Sequence, residues 1–95
     1  MNAVGQRLDP EAVPPDLRAF VHFAERWGIG DDVDRNELVD QATPEEVDEL
    51  QAVTREHGAH VQAWLDTFTP GKMPPEAAAF MYMLEASEEM GLPPT

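Results

Sequence analysis

Three histidines are the side chains of this sequence best suited to acid–base or metal chemistry. His22 stands three residues before Glu25, a spacing that on a helix places an imidazole and a carboxylate side by side as a proton-transfer pair. His57 and His60 are also three apart, with Glu56 beside them, and imidazoles are zinc ligands. Neither pair has the spacing of a His-Glu-x-x-His site, and no further ligand is marked. We therefore assign no catalytic residue, no metal ligand and no cofactor.

Acidic side chains are concentrated in one stretch of the chain. The sequence has 19 acidic and 6 basic residues, a formal net charge of −13. Residues 31–50 hold nine of the acids and a single arginine, a net charge of −8. Concentrated negative charge accelerates association with basic proteins. Some of these acids are expected to cap helices, which leaves four as predicted partner-binding residues: Glu37, Asp40, Asp48 and Glu49.

The same stretch partly resembles a calcium-binding loop. Asp32, Asp34 and Asn36 match the first three ligand positions of an EF-hand. The pattern then fails, because Glu37 stands where glycine is needed and Thr43 stands where a bidentate glutamate is needed. We interpret these acids as a helix N-terminus, where the helix dipole favours negative charge.

The first helix is predicted over residues 15–27. Apolar residues from Leu17 to Trp27 recur at spacings of 3, 1, 3 and 3, which places them on one face of a helix. Gly28 is expected to end this helix in a left-handed conformation. Trp27 is expected to pack in the core; in the alternative, it forms a recognition edge for a basic partner beside the acidic helix start.

Two more helices follow in the acidic stretch. Asp31 is expected to cap the second, whose few apolar residues are Val33, Leu38, Val39 and Ala42. Residues 43–46 have the Thr-Pro-Glu-Glu pattern of a capping box, which predicts the start of the third. The apolar spacing continues through Gly58, so one helix over 44–67 is possible. We favour a break or kink at Gly58, because glycine ends helices more readily than it continues them.

The last helix is predicted over residues 75–90. Every residue from Ala77 to Leu84 is apolar or aromatic. A helix that is apolar all round either lies centrally in its fold or offers a face to another chain. Both interpretations stay open here, and the second predicts a homo-oligomer formed through this helix.

Taken together, these elements predict a compact all-α domain of four or five helices in a bundle-like arrangement over residues 1–95. Within it we expect an irregular N-terminal arm over 1–13, a Pro/Gly-rich connector over 69–74 and a C-terminal tail over 91–95.

Composition excludes several classes of function. The sequence has no cysteine, which rules out disulfides and thiolate catalysis. Its few basic residues disfavour nucleic acid and anionic membranes as partners. The longest apolar run is eight residues, against about 20 needed to span a bilayer. The first seven residues lack the apolar segment of a secretory signal, so we expect a cytoplasmic protein.

These observations favour a non-enzymatic interaction or regulatory module that binds a basic protein, of the immunity-protein, antitoxin or inhibitor kind. One alternative is a small metal-dependent or acid–base enzyme that uses His22, His57 and His60. In a second alternative, the acidic surface serves solubility or adaptation to salt and has no ligand.

Overall fold

The computed structural model of the chain describes residues 8–69 and 71–90, which form four α-helices joined by short connections. The helices are α1 (Val21–Trp27), α2 (Asp32–Asp40), α3 (Pro44–Leu65) and α4 (Pro75–Glu89). Two 3₁₀ helices, Pro10–Ala12 and Pro15–Phe20, precede α1. No β-strand occurs in the described residues, and the all-α prediction is confirmed.

Helix α4 is the centre of the fold. It packs against α1, α2 and α3, and six of its side chains are buried: Ala77, Ala79, Phe80, Met83, Ala86 and Ser87. The indole of Trp64 on α3 meets the ring of Phe80 edge to face, with centroids 5.4 Å apart. The hydroxyls of Thr54 and Ser87 join α3 to α4 by a 2.8 Å hydrogen bond. This central position accounts for the apolar composition of α4.

The first predicted helix forms over the expected residues, but in two parts. Residues 15–20 are 3₁₀ and residues 21–27 are α-helical. The buried stripe from Leu17 to Trp27 is confirmed, since Leu17, Val21, Ala24 and Trp27 all lie in the core and Phe20 packs against it.

The left-handed conformation expected at Gly28 is wrong. Its backbone has φ −83° and ψ 56°, and the Ile29 N–H donates to the Trp27 carbonyl at 2.9 Å, which makes an inverse γ-turn. Glycine is required here for a different reason, because a Cβ would lie 2.4 Å from the carbonyl oxygens of both Ala24 and Ala79. The turn after α1 thus lies directly on the backbone of α4.

Helix α2 begins as expected, with the Asp31 carboxylate accepting a hydrogen bond from the Asp34 N–H. Val33, one of the few apolar residues of this helix, does not share the packed side of Leu38 and Val39, since it is 68% exposed. The fully buried residue of α2 is Arg35, while Leu38 and Val39 are partly buried. A guanidinium bonded to α4 therefore replaces the apolar contact that a helix of this length would otherwise need.

Helix α3 begins with the predicted capping box. The Thr43 hydroxyl accepts from the Glu46 N–H, and the Glu46 carboxylate accepts from the Thr43 N–H. The predicted break at Gly58 is wrong, because α3 continues through it to Leu65. Glycine costs a helix about 1 kcal/mol, and a break would have interrupted a buried face that extends from Leu50 to Leu65.

The segments outside the α-helices are tied to them by specific contacts. Leu8 is buried, and its N–H donates to the Glu25 carboxylate at 2.8 Å. Val13 is buried as well, so the described part of the N-terminal arm contributes to the core. Residues 66–69 and 71–74 form a non-helical connector between α3 and α4. The predicted tail over 91–95 lies outside the described residues.

Candidate functional site

A groove of about 370 Å³ opens between α1 and the first turns of α3. It is lined by His22, Phe23, Arg26, Trp27, Glu46 and Glu49. Two aromatic rings, two carboxylates, an imidazole and a guanidinium therefore face one space. The groove combines apolar surface with charges of both signs, a composition suited to holding a charged side chain that has an apolar or planar body.

The guanidinium in this groove belongs to the chain itself. Arg26 forms an ion pair with Glu46, and its guanidinium carbon lies 4.9 Å from the centroid of the Trp27 ring. The hydrogen bond from the Thr43 N–H and the nearby Arg26 charge lower the pKa of Glu46. The capping box of α3 and the ion pair to α1 thus share one carboxylate, which stays ionised at neutral pH.

Glu49 is the second carboxylate of the groove, and it is exposed. No basic side chain among the described residues forms an ion pair with it. The half-buried Phe23 lies on the α1 side, with the His22 imidazole 4.3 Å from it between ring centroids. Because Arg26 and Glu46 neutralise each other, the charge left over in the groove is the carboxylate of Glu49.

Of the four acids predicted to bind a partner and Trp27, the alternative recognition residue, the structure brings Glu49 and Trp27 together in this groove. Asp48 is exposed next to Glu49 on α3, and Glu37 and Asp40 are exposed on α2. The carboxylates of these four acids accept no hydrogen bond from a described residue and form no ion pair within the described part of the chain. All four of these side chains are exposed to solvent.

Three other acids of the same stretch have structural partners. Asp31 caps α2, Asp32 bonds the guanidinium of Arg35, and Glu46 completes the capping box of α3. The sequence predicted the capping roles of Asp31 and Glu46. The role of Asp32 was missed, because it depends on an arginine whose burial is decided by α4.

Trp27 is 1% exposed and belongs to the core. The guanidinium of Arg26 lies over its ring, so any contribution of Trp27 to binding passes through that guanidinium or through the small part of Trp27 that lines the groove. The structural interpretation of Trp27 accounts for its position, and its function as a recognition edge stays a prediction.

The histidines each have a different neighbour. His57 stacks on Phe20 with ring centroids 4.5 Å apart, and the Nε2 of His60 lies 3.5 Å from a carboxylate oxygen of Asp16. Glu25, the expected partner of His22, instead accepts the N–H of Leu8. The described residues hold no group of three or more His, Cys, Asp or Glu side chains placed to bind a metal ion.

Sequence reasoning missed most of the groove. Arg26 and Glu46 are 20 residues apart, and no local spacing connects them. One local pattern did point to the groove. Glu46 completes a capping box, which places its carboxylate at the start of α3, where a side chain of a neighbouring helix can reach it. Arg35 was also missed as a structural residue, although it is the sole base among nine acids in residues 31–50.

No protein-family model, curated protein or solved structure matches this chain. Within the described residues, no helix has both the length and the apolar character needed to cross a membrane.

Proposed function

We propose that this protein is an interaction module that binds a basic protein segment through the exposed acids of α2 and the first half of α3. The observation that carries the proposal is the availability of Glu37, Asp40, Asp48 and Glu49, whose carboxylates have no partner among the described residues. A surface with this charge attracts cationic partners and repels acidic ones.

Chain connectivity supports treating the two helices as one surface. Only residues 41–43 separate α2 from α3, so the ends of the two helices lie within about 14 Å of each other. Asp40, the last residue of α2, therefore lies within about 14 Å of Pro44, the first residue of α3. An extended basic segment of a few residues is long enough to contact both helices.

Binding of a synthetic octa-lysine peptide tests this proposal. In the test variant Glu37, Asp40, Asp48 and Glu49 are all replaced by their amides. In the control variant four exposed acids elsewhere are replaced in the same way: Glu11, Glu56, Asp66 and Glu88. Both variants have the same net charge, so any difference between them reports position and not total charge.

We expect the test variant to bind at least about fivefold more weakly than the control variant in calorimetry at low salt, since an exposed ion pair contributes about 0.2–1 kcal/mol. Equal loss in the two variants would contradict the proposal. That result would favour the alternative in which the acidity serves solubility or salt adaptation.

The other predicted functions have less support from the structure. Self-association through α4 stays a prediction: four residues of its apolar run, Ala77, Ala79, Phe80 and Met83, are buried, while Ala78, Met81, Tyr82 and Leu84 are only partly buried. A metal-dependent or acid–base enzyme using the three histidines stays a prediction, and metal analysis of the purified protein tests it.

A further inference from the structure

The groove between α1 and α3 has features that distinguish one basic side chain from another. It already contains a guanidinium, that of Arg26, lying over an aromatic ring and paired with a carboxylate. Beside this pair, the groove also offers the ring of Phe23 and the carboxylate of Glu49. A planar guanidinium can stack on an aromatic ring while it bonds a carboxylate with two N–H groups, and the ammonium of lysine cannot do this.

We propose that this groove is an arginine-binding subsite, in which a guanidinium from the basic partner packs on Phe23 and pairs with Glu49. The inference rests on the proposed function, because it assumes a basic partner and names the side chain that this partner inserts. Charge complementarity supports the occupant: Glu46 is already neutralised by Arg26, and the charge left in the groove is negative.

Arg26 would then act as a neighbouring cation that weakens binding of the incoming one. Its guanidinium is held in place by Glu46 and Trp27, and its side chain is 49% exposed at the groove. Removing it would take away a repulsive charge and free the Glu46 carboxylate. Replacing Arg26 should therefore raise the affinity for arginine. If Arg26 had only a structural role, its replacement would lower both the affinity and the stability of the fold.

The experiment compares octa-arginine and octa-lysine peptides by calorimetry at equal ionic strength. Glu49→Gln is compared with Glu56→Gln, which removes the same charge from an exposed position farther along α3. Arg26→Ala on α1 is compared with Arg55→Ala on α3. Each substitution removes one positive charge from an exposed position, and Arg55 does not line the groove. Thermal unfolding of each variant checks that it is folded.

We expect the native chain to bind octa-arginine roughly two- to fivefold more tightly than octa-lysine, as a cation–π contact of about 0.5–1 kcal/mol implies. Glu49→Gln should weaken octa-arginine binding about fivefold, and Glu56→Gln less than about twofold. Arg26→Ala should strengthen octa-arginine binding more than Arg55→Ala does. Phe23→Leu should abolish the preference for arginine, and Phe23→Tyr should retain it.

The two proposals fail in different ways. If both peptides bind equally and Glu49→Gln and Glu56→Gln weaken them equally, the arginine subsite is wrong and the acidic interaction surface stands. A preference for arginine that survives Phe23→Leu also overturns the subsite. If neither peptide binds at low salt, both proposals are wrong.

Discussion

At the scale of single residues, two glycines show how differently the same residue type can be constrained. Gly28 lies against the backbone of α4, where a Cβ would approach the Ala79 carbonyl oxygen to 2.4 Å. Gly58 lies within α3, and a Cβ there would have no atom within 4 Å apart from its own helix and chain neighbours. The first glycine permits contact between two elements, and the second only weakens a helix.

Alanine substitutions should therefore have opposite effects at these two positions. Gly28→Ala should lower the free energy of unfolding by about 3 kcal/mol, because the backbone of α4 must move away. Gly58→Ala should raise it by about 1 kcal/mol, because alanine favours the helix and meets no obstacle. Urea unfolding followed by circular dichroism measures both. Destabilisation by Gly58→Ala would mean that α3 does not continue through this residue.

Glu46 makes the stability of the chain sensitive to acid. Its folded-state pKa is lowered from an ordinary value of 4.5, first by the hydrogen bond from the Thr43 N–H. A group with a lowered folded-state pKa stabilises the fold above its unfolded-state pKa, and that stability is lost as the pH falls through the folded-state value. The contribution of Glu46 is thus complete near neutral pH and disappears below pH 4.5.

The variant Glu46→Gln should lose less stability than the native chain when the pH is lowered from about 6 to about 3. Glutamine retains the capping hydrogen bond but has no charge to titrate. Glu45→Gln, in the same helical turn, is the matched control, and it should follow the acid dependence of the native chain more closely. Chemical unfolding at a series of pH values measures this, and identical slopes in the two variants would contradict it.

At the scale of elements, α2 is attached to the rest of the molecule by a polar contact. The side chain of Arg35 is 3% exposed and bonds Glu89 of α4, Asp32 and the Ile29 carbonyl oxygen. Its guanidinium carbon also lies 5.5 Å from the centroid of the Tyr82 ring. Hydrogen bonding to Glu89 raises the pKa of Arg35, so this side chain is a cation at neutral pH.

Replacing this arginine should loosen α2 selectively. Arg35→Met keeps much of the side-chain volume but removes every hydrogen bond, and we expect a loss of about 2 kcal/mol in the free energy of unfolding. The amides of α2 should exchange with solvent faster than those of α3. Hydrogen-exchange mass spectrometry measures the difference, with the exposed Arg55→Met as control. Unchanged protection of α2 would show that Leu38 and Val39 suffice to hold it.

At the scale of the whole molecule, the net charge of −13 opposes the compact state, since folding brings like charges together. The described part of the chain has a radius of gyration of 12.6 Å, close to the roughly 12 Å expected for a compact chain of this length. Most of the acidic side chains in the described part of the chain are exposed to solvent, where salt screens their repulsion. The ion pairs of the buried Arg35 are less accessible to such screening.

Adding salt should therefore stabilise this protein. Raising sodium chloride from about 0.01 M to about 0.15 M shortens the Debye length from about 30 Å to about 8 Å and weakens the repulsion among exposed acids. We expect the midpoint of thermal unfolding to rise by a few degrees. A fall in the midpoint would mean that the favourable ion pairs outweigh the general repulsion. The same salt should weaken binding of basic peptides.

Local chemistry was enough to predict much of the fold. The Thr43–Glu46 capping box, the Asp31 cap and the buried stripe from Leu17 to Trp27 each depend on residues a few positions apart. Propensity and side-chain spacing act over such distances. The same local reasoning separated the acids expected to cap helices from four acids with no expected structural role: Glu37, Asp40, Asp48 and Glu49.

Tertiary packing decided what local spacing could not. Gly58 could end or continue a helix, and the long face that α3 buries favoured continuation. Arg35 is a typical surface residue until α4 provides Glu89 and Tyr82 around it. The groove that joins Arg26 and Glu46 exists only because α1 and α3 meet. The sequence by itself determined where the helices begin and how much charge they bear, while contacts between distant residues decided which charges are buried, paired or available.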